Sequence, residues 1–372
     1  MEKKGGAESC PPPFIAGDFL RVRRARVVSM EQRKEQDFDR FHSHVDDRLL
    51  ALLPTADSSH GLFSLTFLRR LLDAFLSCDD EFRCLLLARG FGGLLSRPDA
   101  DRAVADLLDR TVKSLDVCRA ASLALDSIRH FHRLADTAAS AAIPGQGGRV
   151  CRAIAKLLAS FLNSAAARSE GSSGSSGRSS RSGHLRTLGR RSYFSGGNTP
   201  PVPANLIVPR GSPAGGEEIA FAVYAMSSVL AFTMWALAAA LVCQDGGGTL
   251  PSSPVSPRQH LPWAGTMVLL QDRMSEEWRS RKGDFVQLAE MQALQRCAKG
   301  LMEAVREGGR PRAEDVAEMA MKLAEACRRL EKALAPLERQ VREVFHRVVG
   351  SRAEVLRCMD QNKRAAAPPI PP

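Results

Sequence analysis

Tyrosine occurs twice and tryptophan three times in this chain, and all aromatics together make up 6% of it. Strands draw on aromatic and β-branched side chains, so this scarcity argues against a sheet-based core. The apolar content is nonetheless 44%, dominated by Leu and Ala, which favour helices. No CxxC occurs among the nine cysteines (Cys10, Cys78, Cys84, Cys118, Cys151, Cys243, Cys297, Cys327 and Cys358). An odd number of thiols, most of them on apolar helical faces, reads as core thiols in a reducing compartment. The N-terminus MEKKGGAESCPPP lacks an apolar run of the kind a secretory signal needs, and no Asn-x-Ser/Thr acceptor is present. Both halves therefore read as cytosolic.

Catalytic and nucleotide-binding signatures are missing too. There is no Gly-x-Ser-x-Gly elbow and no HExxH. The Gly-rich stretches at 145–148 and 246–248 carry no Lys-Ser/Thr of a phosphate loop. His42/His44 and His130/His132 are i, i+2 pairs, whose rings diverge on a helix and preset no metal site. The expectation is a chain with no catalytic residues, no cofactor, no metal and no small-molecule substrate.

The net charge of +11 is unevenly spread. Between 168 and 191 stand Arg168, Arg178, Arg181, Arg186, Arg190 and Arg191 against one acid, Glu170, in a Ser/Gly-rich tract. Nucleic-acid binding would want aromatics interleaved with the arginines, and only Tyr193 and Phe194 follow, so nucleic acid is not the expected partner. Arg178-Ser179 and Arg190-Arg191-Ser192 resemble basophilic kinase sites, making Ser179 and Ser192 candidate phosphorylation positions.

Helical periodicity runs through most of the rest. Phe38, Phe41, Val45, Leu49 and Leu52 recur at helical spacing, as do Leu65, Leu68, Leu72, Phe75, Leu76, Phe82 and Leu86 behind an N-cap at Ser64. A long stripe runs from Val104 to Phe131, and shorter ones cover 149–167, 263–278 and 285–305. The last begins near Glu314, and Pro336 should kink or restart it. The expected fold is all-α. A disordered N-terminus (1–28) precedes an N-terminal helical domain (29–167), and a disordered basic linker (168–216) follows. After it come an apolar helix (217–244), a loop (245–262), a C-terminal helical region (263–360) and a Pro-rich tail (361–372).

The sharpest change in the chain is at 219–243, twenty-five residues without a charge. As a helix they would reach about 37 Å, enough to cross a bilayer's hydrocarbon core of about 30 Å. Ile219, Phe221, Val223, Val229, Leu230, Phe232, Trp235, Leu237, Leu241 and Val242 would face lipid in such a span. The same composition suits the fully buried helix of a soluble bundle. A single span would also put one half outside the cytosol, although neither half looks suited to that. We expect a membrane span, with the buried helix as the competing reading.

Several strings resemble plant BYPASS-related proteins, most closely the branch named for interaction with a subunit of the exocyst tethering complex. They are FLRRLLDAFLSCDDEFR (67–83), LLDRTVKSLDVCRA with DSIRHFHRLAD (107–136), MWALAAALVCQ (234–244) and REVFHRVVGSRAEVL (342–356). The resemblance implies a non-enzymatic adaptor that contacts exocyst subunits and modulates secretion or cell-wall and mucilage deposition. Its expected place is the cytoplasmic side of membranes, as a single-pass protein if 219–243 spans and in the cytosol if it is buried. A soluble regulator of growth signalling is the alternative that the wider family implies.

Overall fold

The structure is a computed structural model describing residues 36–53, 61–89, 98–141, 147–169, 218–242, 250, 261–281, 288–306 and 313–366. Most of the basic linker, with Ser179 and Ser192, lies outside these residues, as does the N-terminus. Among the described residues there are helices and no strands. They are α1 (36–50), α2 (Leu65–Arg89), α3 (Pro98–Ala141), α4 (Gly147–Ser169), α5 (Glu218–Leu237, continued by a π-helical turn at Ala238–Val242), α6 (Ala264–Ser280), α7 (Ala289–Arg306) and α8 (Ala313–Ala366).

Helix α5 has no polar face, and the other helices are arranged accordingly. Every residue from Ile219 to Leu241 is buried. Helix α3 packs along it, α2 covers another side, and α6 meets it where the Tyr224 and Trp263 rings stand 5.9 Å apart. Two of its hydroxyls turn back onto the helix: Ser228 Oγ donates to the Tyr224 carbonyl and Thr233 Oγ1 to that of Val229, each at 2.8 Å. Phe232 and Trp235 stack on one another at 6.0 Å, and Trp235 is wholly buried. The segment expected to face lipid thus faces protein on all sides. Ile219, Phe221, Val223, Val229, Leu230, Phe232, Trp235, Leu237 and Leu241 are core residues here, and Val242 packs against that core.

Helices from before and after the basic linker are interleaved. Helix α8 runs parallel to α2, with pairs Gln340–Asp73, Arg347–Asp80 and Arg83–Glu354 in rising register. It runs antiparallel to α3, since Arg129 donates to Glu338 at 2.9 Å while Arg352 reaches the Leu108 carbonyl. Leu330, Leu334, Leu337, Val341, Val344, Val348 and Val355 keep one stripe of α8 in the core. That stripe carries the helix through Pro336 without the restart that was one of the two outcomes expected there. A proline forfeits one i→i−4 bond, but packing on both sides of it holds the helix continuous here.

Ser64 is the N-cap of α2: its Oγ accepts from the Phe67 amide at 3.2 Å. Two carboxylates from distant sequence complete the cap. Glu277 accepts from the amides of Leu62 (2.8 Å) and Phe63 (3.4 Å), and Glu290 from that of Leu65 at 3.0 Å. Negative charge at an N-terminus also complements the helix dipole. Gly61 allows this close approach, because a Cβ there would stand 2.2 Å from Glu277 Oε1.

Because α5 organises the core, Phe232→Ala should lower stability by about 3–5 kcal/mol. Leu123→Ala, at an exposed position on α3, should change it by no more than about 0.5 kcal/mol. Denaturant midpoints of the two variants check both.

Candidate functional site

Three of the four strings that carry the family resemblance, 67–83, 107–136 and 342–356, contribute to one cleft. The second half of α2, the first half of α3 and the last third of α8 surround a cleft of about 580 Å³, measured with its open mouth. Phe75, Phe82 and Leu86 form one wall, Leu107 and Leu108 a second, and Val348 and Val355 a third. Met226 and Leu230 of α5 form the floor, so the cleft reaches the core helix.

Polar groups line the rim, and they are engaged with one another. Arg83 pairs with Glu354, its Nε 3.0 Å from Oε2. Arg352 donates to Thr111 Oγ1 at 3.1 Å as well as to the Leu108 carbonyl. Asp79 is 4% exposed, accepts from Ser351 Oγ at 3.1 Å, and has Arg347 at 3.6 Å. Burial pushes the Asp79 carboxyl up to about 6, against the pull of Ser351 and Arg347.

A second polar cluster lies between α1 and α2. His44 Nδ1 stands 2.8 Å from Glu81 Oε2, while its Nε2 faces Ser77 Oγ at 3.3 Å and accepts from Arg48 Nε at 3.4 Å. A carboxylate, an imidazole and a serine in a row have the outline of a nucleophilic relay, which no local pattern announces, since His44 comes from another helix. The surroundings do not complete one. Ser77 sits mid-helix, where backbone amides are consumed by the α-helical ladder and form no oxyanion hole. The cluster ties α1 to α2.

The neighbouring His42 points elsewhere, as i, i+2 spacing requires. It accepts from Trp263 Nε1 at 3.1 Å in the interior, and burial lowers it to about 4. Among the described residues no group of His, Cys, Asp and Glu is arranged to hold a metal ion. Cys78 and Cys118 are buried thiols pushed up to about 12 by desolvation, unsuited to nucleophilic work.

The outward face of α8 beside the cleft carries clustered apolar residues. Phe345, Val349 and Leu356 are exposed there, at 36%, 42% and 40%. At 3.6 residues per turn they fall within about 40° of one another around the helix. Helix α3 adds exposed Val112 next to Thr111, which Arg352 holds, so the antiparallel register brings it to the same ridge.

A family model described as "Protein ROH1-like" matches residues 14–359. The chain belongs to the ROH1-like family. It is 34% identical to Protein ROH1A of Arabidopsis thaliana over an alignment of 410 positions, covering 95% of this chain and 98% of that protein. Protein ROH1D of the same plant is 31% identical, with 91% and 94% covered. No solved structure matches the chain. Membership in the ROH1-like family supports the resemblance to plant BYPASS-related proteins, and the family names suggest regulation rather than catalysis.

Two buried groups give opposite responses to pH. Asp79 binds its proton more tightly folded (about 6) than unfolded (3.8), so its stabilising contribution is present below pH 3.8 and lost as pH rises through 6. His42 is the reverse: its contribution is present above 6.5 and lost as pH falls through 4. Asp79→Asn should therefore gain stability relative to the parent as pH rises from about 4 to 7, the interval that the Asp79 shift spans. Over the same range His42→Gln, which no longer titrates, should lose stability relative to the parent. Urea midpoints at the two pH values check the signs.

Proposed function

We propose that this protein is a non-catalytic helical adaptor that works by protein contact, with an exocyst subunit as its partner and secretion or cell-wall and mucilage deposition as the process it modulates. The observation that carries this reading is the ridge of Phe345, Val349, Leu356 and Val112. Phe345, Val349 and Leu356 share one face of α8, and clustered exposed apolar surface marks docking sites. The partner's identity rests on the resemblance of the strings at 67–83, 107–136, 234–244 and 342–356 to the exocyst-interacting branch.

We infer further that α5 stays in the core while the protein works, because unpacking it would strip α2, α3 and α6 of the surface they cover. Membranes are then reached from the cytoplasmic side, through the partner or through the arginines of 168–191 on anionic lipid. Phosphate on Ser179 or Ser192 would weaken that second attraction. The burial of α5 equally suits the alternative of a soluble regulator of growth signalling, in which the same ridge would serve a different protein.

The test is co-precipitation of exocyst subunits with the tagged full-length chain from plant extract, comparing the parent with Val349→Asp and Leu356→Asp. Both positions are exposed, so thermal stability should be unchanged while recovery of the subunit falls at least about tenfold, equivalent to roughly 1.4 kcal/mol or more. Undiminished recovery from the folded variants would exclude the ridge. Absence of any exocyst subunit with the parent would favour the growth-signalling alternative.

A further inference from the structure

Helix α8 turns outward more than apolar side chains. Val349 and Leu356 are seven residues apart and Phe345 stands four before Val349, the spacing of a seam between two packed helices. The stripe is about 40° wide, whereas a helix laid against a whole core shows an apolar arc of about 100° or more. Three side chains on so narrow an arc suit one neighbouring helix better than a bilayer surface. Gly350 and Ala353 are exposed beside them, and a Cβ at Gly350 would meet nothing within 4 Å, so a second backbone can come close.

Charge on this face is one-sided. Arg347 is held by Asp79 and Asp80, Arg352 by the Leu108 carbonyl and Thr111, and Glu354 by Arg83, all turned towards α2 or α3. Arg339, Arg342 and Arg357 are exposed and have no such partner among the described residues. Glu343 is the one exposed acid described between 339 and 357, and it can offset only one of them. Around the helix the three arginines fall about 20–80° from Val349, all on the side away from Phe345. The face is thus an apolar strip with a basic edge, about 27 Å long from 339 to 357, the length of a helix of about eighteen residues. A second copy of this chain matches it poorly. Pairing the face with itself about Val349 and Gly350 sets Arg342 of each copy against Arg357 of the other, like charge to like.

We propose that the outward face of α8 from 339 to 357 receives an acidic amphipathic helix of the partner protein. Its apolar residues pack on Phe345, Val349 and Leu356, and its carboxylates lie over Arg339, Arg342 and Arg357. The proposal rests on the adaptor reading above and adds what the partner must present to this face.

The test takes the purified full-length protein and two fluorescein-labelled peptides of about eighteen residues. Both carry leucine at heptad positions a and d, and they differ in having glutamate or lysine elsewhere. Anisotropy titrations should show the glutamate peptide binding at least about tenfold more tightly than the lysine peptide, with added salt weakening it. The combined variant Arg339→Glu, Arg342→Glu and Arg357→Glu, at exposed positions, should keep the parent's thermal stability and reverse the preference. Val349→Asp should weaken the glutamate peptide at least about tenfold. Equal affinity for the two peptides, no binding, or binding that survives both variants would overturn the proposal, the last by placing the peptide elsewhere, as on the arginines of 168–191. A dimer of the chain that Val349→Asp dissolves would give the face to a second copy and overturn it too. So would sedimentation with phosphatidylserine vesicles that the arginine variant abolishes, by giving the face to lipid. No exocyst subunit enters these titrations, so their failure is distinct from failure to co-precipitate one.

Discussion

The structure depends on burying a helix that has no side fit for water. From Ile219 to Leu241 every residue of α5 is enclosed, so the surrounding helices must supply apolar surface all round it. Helices α3 and α2 do so along its length, and α6 does so through Trp263 against Tyr224. This demand explains why the two halves of the chain cannot be separated in space: α8, which comes after α5, packs on α2 and α3, which come before it.

Polar contacts then set register rather than supply most of the cohesion. Partly exposed pairs such as Arg83–Glu354 and Arg129–Glu338 contribute little singly, yet together they fix α8 as parallel to one neighbour and antiparallel to the other. The capping of α2 by Glu277 and Glu290 does the same for the corner between α2, α6 and α7. A bundle specified in this way leaves its outer faces charged and solvated. The clustered exposed apolar residues of α8, and the cleft next to them, lie where the strings 67–83, 107–136 and 342–356 come together.

Much of this was legible in the sequence because it is local. Periodicity marked the helices, and the Ser64 cap showed in its residue type and position. The rest depends on partners far along the chain. Nothing near Leu62 announces that Glu277 will cap it, and Ser77 and Glu81 are four apart on α2 while the imidazole between them comes from α1. At Pro336 local propensity allows a restart, but the stripe from Leu330 to Val355 is anchored on both sides of it and the helix runs on. The apolar segment was ambiguous in principle, since lipid and a protein interior select the same side chains. What separates them is whether enough amphipathic helix exists elsewhere to cover it, a property of the whole chain.

The claim that α5 is the core of a protein-enclosed bundle is tested most directly by washing membranes from cells expressing the full-length chain with alkaline carbonate. The account predicts that the protein leaves the pellet and that the released chain, without detergent, elutes as a folded helical species. Retention in the pellet through carbonate, with release only by detergent, would contradict it and would mean that α5 leaves the bundle for the bilayer.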